Sequence, residues 1–294
     1  MLVATLISNP AGAALDASLA IKASAAAGAS GLYWLADGIA CDLPLRHGSS
    51  AGEIEAQLRA ALDGAPVDIV VQEQDARRKK ILIADMDSTM IDQECIDELA
   101  DEAGINAHVA AITARAMNGD IAFEPALRER VALLRGLSCS VIDHVLASRI
   151  TLAKGGLELV ATMKKSGAHT ALVSGGFTRF TDSIAAQLGF HEAFANRLGE
   201  EGGLLSGEVA EPVLGRSAKA AALAEIASRF GLTPADAIAV GDGANDLDML
   251  ALAGTGVALH AKPAVAAQAR FRVDHGDLTA LLYMQGYRKA DFVA

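Results

Sequence analysis

Short apolar runs alternate along this chain with stretches whose apolar residues recur at i, i+3 and i+4. The two patterns predict strands and amphipathic helices respectively. In the first 76 residues they predict a strand over 2–8, a helix over about 12–27 and strands over 31–36 and 39–45. A helix over about 51–62 and a strand over 67–72 follow. Asp37-Gly38 between two short apolar runs is a hairpin signal. Pro44 and Pro66 fall near strand ends, where a missing N–H is tolerated. The order βαββαβ is a ferredoxin-like arrangement.

Residues 81–84 (Ile-Leu-Ile-Ala) form a continuous apolar run, as expected of a parallel strand buried on both faces. From 92 to 150 the period is helical, with segments at about 93–103, 106–117, 123–135 and 139–149 punctuated by Gly104, Gly119 and Gly136. Strand and helix then alternate: strand 168–173, helix 177–188, helix 219–230, strand 237–240, helix 246–253, strand 255–259 and a closing β/α segment. One interruption, 193–209, reads as a hairpin about Glu201-Gly202-Gly203. The alternation predicts an α/β fold with a Rossmann-like parallel sheet and helices on both faces, into which 92–150 is inserted as a helical cap.

Charge sharpens this picture. The 294 residues carry 25 Lys+Arg against 36 Asp+Glu, a formal net charge of −11. Nucleic acid is disfavoured as a partner, because a phosphate backbone is bound through clustered basic residues. The single basic run, Arg77-Arg78-Lys79-Lys80, reads as a solvated segment entering a strand. Three scattered cysteines (Cys41, Cys95, Cys139) make neither a zinc cage nor a disulfide framework and suit a reducing compartment. No apolar run approaches the roughly 18 residues of a membrane span, and the Ala-rich start lacks the basic n-region of a signal peptide. The expectation is a soluble, cytoplasmic protein without membrane or nucleic-acid partners.

In open parallel sheets, ligands bind beyond the carboxyl ends of the strands. Three such ends carry polar residues here: Asp85-Met86-Asp87-Ser88-Thr89, Ser174-Gly175-Gly176 and Gly241-Asp242-Gly243-Ala244-Asn245-Asp246, with Lys219 between the last two. Asp85 and Asp87, at i and i+2, offer a carboxylate and a backbone carbonyl to a cation and leave one side chain for proton transfer. Asp242 completes a hard oxygen site suited to Mg²⁺. Ser174-Gly175-Gly176 supplies a hydroxyl and backbone N–H groups ahead of a helix, a cradle for an anion. Gly241-Asp242-Gly243 superficially suggests a dinucleotide turn, but Asn245-Asp246 and the acids facing the would-be pyrophosphate argue against one.

These motifs resemble the four motifs of the haloacid dehalogenase-like phosphatases. Residues 85–98 (DMDSTMIDQECIDE), Met117 and the run Phe123, Leu127, Arg128, Arg130, Val131 are, within that family, similar to the phosphoserine phosphatases. The resemblance spans about residues 80–285. It implies that Asp85 attacks phosphorus and that Asp87 protonates the leaving oxygen and then activates water. Mg²⁺ is implied on the Asp85 carboxylate, the Asp87 carbonyl and Asp242, with Asp246 supporting. Ser174, Gly175, Lys219 and Asn245 would hold the phosphoryl group.

The substrate side of the resemblance lies in the insert. Glu94 would pair with a substrate ammonium and Arg130 with its carboxylate, while Met117 and Phe123 would shield the site. The implied reaction is Mg²⁺-dependent hydrolysis of O-phospho-L-serine to L-serine and phosphate through an aspartyl-phosphate, the last step of serine biosynthesis. Another small phosphomonoester, such as phosphohomoserine, is the competing substrate, and a non-catalytic amino-acid sensor is the competing class. By strand order, residues 1–76 resemble an ACT-like regulatory or dimerisation domain, consistent with a homodimer. The expected division is 1–76 and 77–294, the latter split into a core (77–91 and 151–294) and a cap (92–150).

Overall fold

Period-two alternation builds the first sheet. The computed structural model describes residues 1–46, 50–117 and 120–294; His47 and the side chain of Met117 lie outside the described residues. Strands β1 (Leu2–Ser8), β2 (Tyr33–Ala36), β3 (Ala40–Pro44) and β4 (Val67–Glu73), with helices α1 (Ala17–Ala26) and α2 (Ala51–Leu62), follow the predicted βαββαβ order. The antiparallel sheet has the order β2-β3-β1-β4. The Asp37-Gly38 turn closes with the Ile39 N–H donating to the Ala36 carbonyl at 3.1 Å. Helix α1 starts five residues later than its period suggests, because Asp16 caps it by accepting the Leu19 N–H at 2.7 Å. Ser50 and Glu53 form a capping box on α2.

Ala4, Leu6, Cys41, Leu43, Ile69 and Val71 face α1 and α2. The alternate residues Ile7, Ala40 and Val70 turn the other way, into the apolar cluster of the rest of the chain. Polar residues on that second face are paired as well. Asp42 accepts the Thr5 hydroxyl at 2.8 Å and meets Arg77 at 2.8 Å, and Gln72 donates to the Met284 carbonyl at 2.7 Å. Asp68 accepts the backbone N–H groups of Asp274, His275 and Gly276. The sheet face without helices is therefore seated on the remainder of the molecule.

The second sheet begins with β5 (Ile81–Ala84). Four helices follow, α3 (Cys95–Glu102), α4 (Asn106–Met117), α5 (Phe123–Ala132) and α6 (Ser140–Ser148), within the segment predicted as the helical insert. The chain continues through α7 (Gly156–Lys165), β6 (His169–Phe177), α8 (Thr178–Leu188), β7 (Glu192–Asn196), β8 (Leu198–Glu201), β9 (Leu204–Val209), α9 (Arg216–Arg229) and β10 (Ala237–Gly241). It ends with α10 (Leu247–Leu252), β11 (Thr255–Leu259), α11 (Pro263–Ala266), β12 (Phe271–Val273) and α12 (Ala280–Met284). The six-stranded sheet is parallel throughout, in the order β12-β11-β10-β5-β6-β7.

Several local expectations are corrected. Helix α7 was not anticipated, although Leu159, Val160 and Met163 bury one face at helical spacing. Residues 193–209 are not one hairpin. Their first part belongs to β7, an edge strand of the parallel sheet, and only β8 and β9 pair about Gly202-Gly203. Strand β6 runs on through Ser174-Gly175-Gly176 with a register shift before Phe177, so this motif is an irregular strand end. The basic run is not simply solvated: Arg77 is buried against Asp42, Arg78 lies 3.6 Å from the centre of the Tyr287 ring, and the Lys79 ammonium donates to the Ala235 carbonyl at 2.8 Å. All three cysteines are free and buried. Among the described residues no helix is long and apolar enough to cross a membrane.

Candidate active site

Strands β5, β6 and β10 are neighbours in the parallel sheet, so their carboxyl ends bring Asp85, Ser174 and Asp242 to one edge. Asp85 follows β5 directly. Its Oδ1 accepts the Met86 N–H at 2.8 Å and lies 2.7 Å from the Lys219 Nζ. Lys219, in the first turn of α9, also donates to Asp246 Oδ1 at 2.6 Å. Asp246 spends its second oxygen on the Gly243 N–H at 2.9 Å. A side chain at Gly241 would overlap the Asp246 carboxyl, which accounts for the glycine there.

One ligand oxygen from each of Asp85, Asp242 and Asp246 lies within 4.8 Å of the others. Three carboxylates face one ammonium in a site where Asp85, Asp246 and Lys219 are almost fully buried. Burial, then the Asp246 charge, pushes the Asp85 carboxyl well above its ordinary range, against the pull of Lys219. Burial, then Asp246, pushes Asp242 up to about 6. Burial opposes the charge on Lys219, but Asp85 and Asp246 overcome it and raise its pKa. The surplus of negative charge and the all-oxygen donor set fit a divalent cation. Asp242, whose only hydrogen bond among the described residues is a long one from Thr89 at 3.4 Å, has oxygen lone pairs to give. Asp246 is committed to Lys219 and Gly243.

Asp87 is fixed at both oxygens. Oδ1 accepts the N–H of Cys95, the first residue of α3, at 2.8 Å, and Oδ2 accepts the Ser174 hydroxyl at 3.1 Å. A Cβ at Gly176 would stand 2.8 Å from Asp87 Oδ2, so close approach of the strand end requires glycine. The Gly176 N–H donates to Ser174 Oγ at 2.8 Å.

The insert overhangs this edge. Phe123 covers the strand end: a Cβ at Gly175 would lie 3.2 Å from its ring and one at Gly215 3.5 Å. The Asn245 amide nitrogen would lie 3.9 Å from the same Gly175 position. Glu94, at the start of α3, accepts the Ser88 hydroxyl at 2.8 Å, and Ser88 takes a left-handed backbone (φ 53°) to reach it. Although part of Glu94 is open to solvent, the crowding of its carboxyl, followed by the Asp87 charge, pushes it up to about 7. Arg130 donates to the Ala126 carbonyl at 3.3 Å and to Thr113 at 3.4 Å. Burial lowers its pKa, and the charges of Asp97, Glu94 and Asp87 oppose that shift. The structure thus gathers Asp85, Asp87, Glu94, Phe123, Arg130, Ser174, Gly175, Lys219, Asp242 and Asn245; the side chain of Met117 lies outside the described residues. Sequence reasoning passed over Asp97, which acts on Arg130, and Thr89, whose hydroxyl reaches Asp242. Thr89 could have been found from its place in the same strand-end motif.

The parallel sheet thus ends in Asp85 beside the buried Lys219, with Phe123 of the 92–150 segment over that edge. A family model for haloacid dehalogenase-like hydrolases matches residues 82–251, and the chain belongs to that family. Its relatives narrow the class. A phosphoserine phosphatase from Archaeoglobus fulgidus is 44% identical over 72% of this chain, the match spanning 62% of that protein, less than two thirds of its length. A phosphoserine phosphatase from Polaromonas sp. is 45% identical over 69% of this chain and 88% of its own. The solved structure of a haloacid dehalogenase-family hydrolase from Salmonella enterica serovar Typhi is similar over 97% of this chain and 98% of its own, with a TM-score of 0.85 at 28% identity.

Proposed function

We propose that this protein hydrolyses O-phospho-L-serine to L-serine and phosphate, with Mg²⁺ as cofactor. The observation that carries the reading is Asp85, held by Lys219, at a strand end whose Ser88 bonds Glu94 at 2.8 Å, with the opposite charge of Arg130 on the same insert. A free amino acid bearing a phosphate presents three charged groups, and the residues assigned here offer a matching group for each. The two named phosphatases support the same choice.

In this reading Asp85 uses the oxygen not held by Lys219 to attack phosphorus. A P–O bond forms to Asp85, the ester P–O bond breaks, and the proton on Asp87 passes to the leaving serine oxygen. Asp87 then takes a proton from the water that hydrolyses the aspartyl-phosphate. Mg²⁺, held by the carboxylates of Asp85 and Asp242 and the Asp87 carbonyl, would supply positive charge to the transferring group. Ser174, the Gly175 backbone, Asn245 and Lys219 hold that group, whose transition state is stabilised by position and charge. Glu94 takes the ammonium, Arg130 the carboxylate, and Phe123 excludes water.

The same reading divides the chain into a module at 1–76, a core at 77–91 and 151–294, and a cap at 92–150. The pairing of Asp42 with Arg77 and of Asp68 with 274–276 supports a module fixed to the core. Regulation and homodimer formation through that module remain part of the proposal. The test is phosphate release from a panel of small phosphomonoesters with and without Mg²⁺. O-phosphoserine is expected to be turned over far faster than phosphothreonine, phosphohomoserine or glycerol phosphate, and an equal rate on all of them would overturn the substrate assignment.

A further inference from the structure

Asn196 closes β7 at the carboxyl end of the parallel sheet, is 1% exposed, and has no place in the roles above. Its side chain is nearly saturated. The amide nitrogen donates to the Gly175 carbonyl at 2.8 Å and to the Leu214 carbonyl at 3.2 Å, and its oxygen accepts the Leu214 N–H at 2.7 Å. Two carbonyls on one side and an N–H on the other leave only one way to orient this amide. It therefore ties the irregular end of β6 to the segment that leads into α9 and Lys219.

The Gly175 contact does more than anchor a loop. The carbonyl of Gly175 belongs to the same planar peptide as the Gly176 N–H, which donates to Ser174 Oγ at 2.8 Å. The Ser174 hydroxyl in turn donates to Asp87 Oδ2 at 3.1 Å. A single directional chain of hydrogen bonds thus runs from Asn196 through the 175–176 peptide and Ser174 to Asp87. Each bond in such a chain polarises the next, and a buried, satisfied chain holds its members in one arrangement. The strand end it fixes has glycine at 175 and 176, where no side chain restricts the backbone.

We propose that Asn196 is a positioning residue: it orients the Gly175–Gly176 peptide so that Ser174 and the adjacent N–H groups meet the phosphoryl group while Asp87 stays aligned. This rests on the reading of Ser174 and Gly175 as the phosphoryl-holding residues. Donors aimed in advance at a developing charge lose their value with small displacements. Removal of Asn196 is therefore expected to weaken phosphate recognition, not merely stability.

The test compares Asn196→Asp with Ser174→Ala in the full chain with Mg²⁺, reading kcat, KM for O-phosphoserine and the calorimetric affinity for inorganic phosphate. Asn196→Asp keeps the acceptor for the Leu214 N–H and loses both donors. The expected result is a folded protein with at least a tenfold loss in phosphate affinity and a lower kcat. If Asn196→Asp does not fold, Asn196→Ala, which adds no buried charge, is read in the same way. A folded Asn196 variant with unchanged phosphate affinity and kcat, beside an impaired Ser174→Ala, overturns the positioning role alone. An unimpaired Ser174→Ala overturns the phosphoryl-holding assignment and the inference with it.

Discussion

Lys219 places its ammonium 2.7 Å from Asp85 Oδ1, and neither side chain is more than 6% exposed. The same ammonium reaches Asp246 at 2.6 Å, so one buried cation holds two carboxylates that would otherwise repel. Lys219→Met is expected to lower kcat about 100-fold or more, the scale seen when one preorganised charge-stabilising donor is lost. Asp85→Asn, nearly isosteric, is expected to keep the fold and lose turnover, because an amide cannot attack phosphorus. Phosphate release with circular dichroism as a folding control checks both. Substantial activity in Asp85→Asn would move the nucleophile elsewhere.

Arg130 lies in α5 and Glu94 immediately precedes α3, and only substrate charge would draw on both. Arg130→Ala is expected to raise KM for O-phosphoserine about tenfold or more, as a bidentate carboxylate partner is lost. Turnover of p-nitrophenyl phosphate, which carries neither ammonium nor carboxylate, is expected to change little. Equal losses on the two substrates would show that Arg130 supports the fold of the insert rather than substrate choice.

The pH profile follows from Glu94. The crowding of its carboxyl and the Asp87 charge push its pKa up to about 7, and only its ionised form attracts an ammonium. Protonation as pH falls through that value removes the attraction, so kcat/KM for O-phosphoserine is expected to decline below about pH 7 and level off above it. Glu94→Gln is expected to lower kcat/KM throughout and to flatten this limb. A limb of unchanged shape in Glu94→Gln would assign the titration to another group.

Chelation is expected to abolish turnover, and Mg²⁺ to restore it. Ca²⁺ is expected to bind the same oxygens while supporting little activity, since its looser, larger coordination misplaces the attacking oxygen of Asp85. Phosphate release after metal exchange measures this, and equal rates with the two ions would contradict the assignment.

Much of this site could be read from residue order because strand ends converge. In a parallel sheet the residue after each apolar run lies on the same edge, so Asp85, Ser174 and Asp242 were foreseeable together. Asn196 was not, because its strand β7 is half-exposed and lacks the continuous apolar run that marked Ile81–Ala84. Its neighbours suggested a hairpin, and only pairing with β6 puts it beside Gly175. Net charge was a poor guide to the site: the acids that make the chain negative include the three that gather around Lys219 and suit a cation. The role of the basic run was equally hidden, since Asp42, the partner of Arg77, is 35 residues away, in β3 of the first sheet.

The contact between Asp42 and Arg77 makes a claim about cooperativity. Their side chains are 8% and 13% exposed, and among the described residues Asp42 keeps only the Thr5 hydroxyl if Arg77 is removed. Leaving one member of a buried pair unmatched costs on the order of 3 kcal/mol. Arg77→Met is expected to lower stability by that amount in urea denaturation. Ile7, Ala40 and Val70 share the apolar cluster of the parallel sheet, so both sheets are expected to unfold together. Trp34 in β2 is the single tryptophan, so its fluorescence follows the first sheet, whereas far-ultraviolet circular dichroism is dominated by the helices of the rest. The two signals are expected to trace one transition. Fluorescence moving at lower urea than ellipticity would show that the first sheet unfolds on its own and is only loosely held by Arg77.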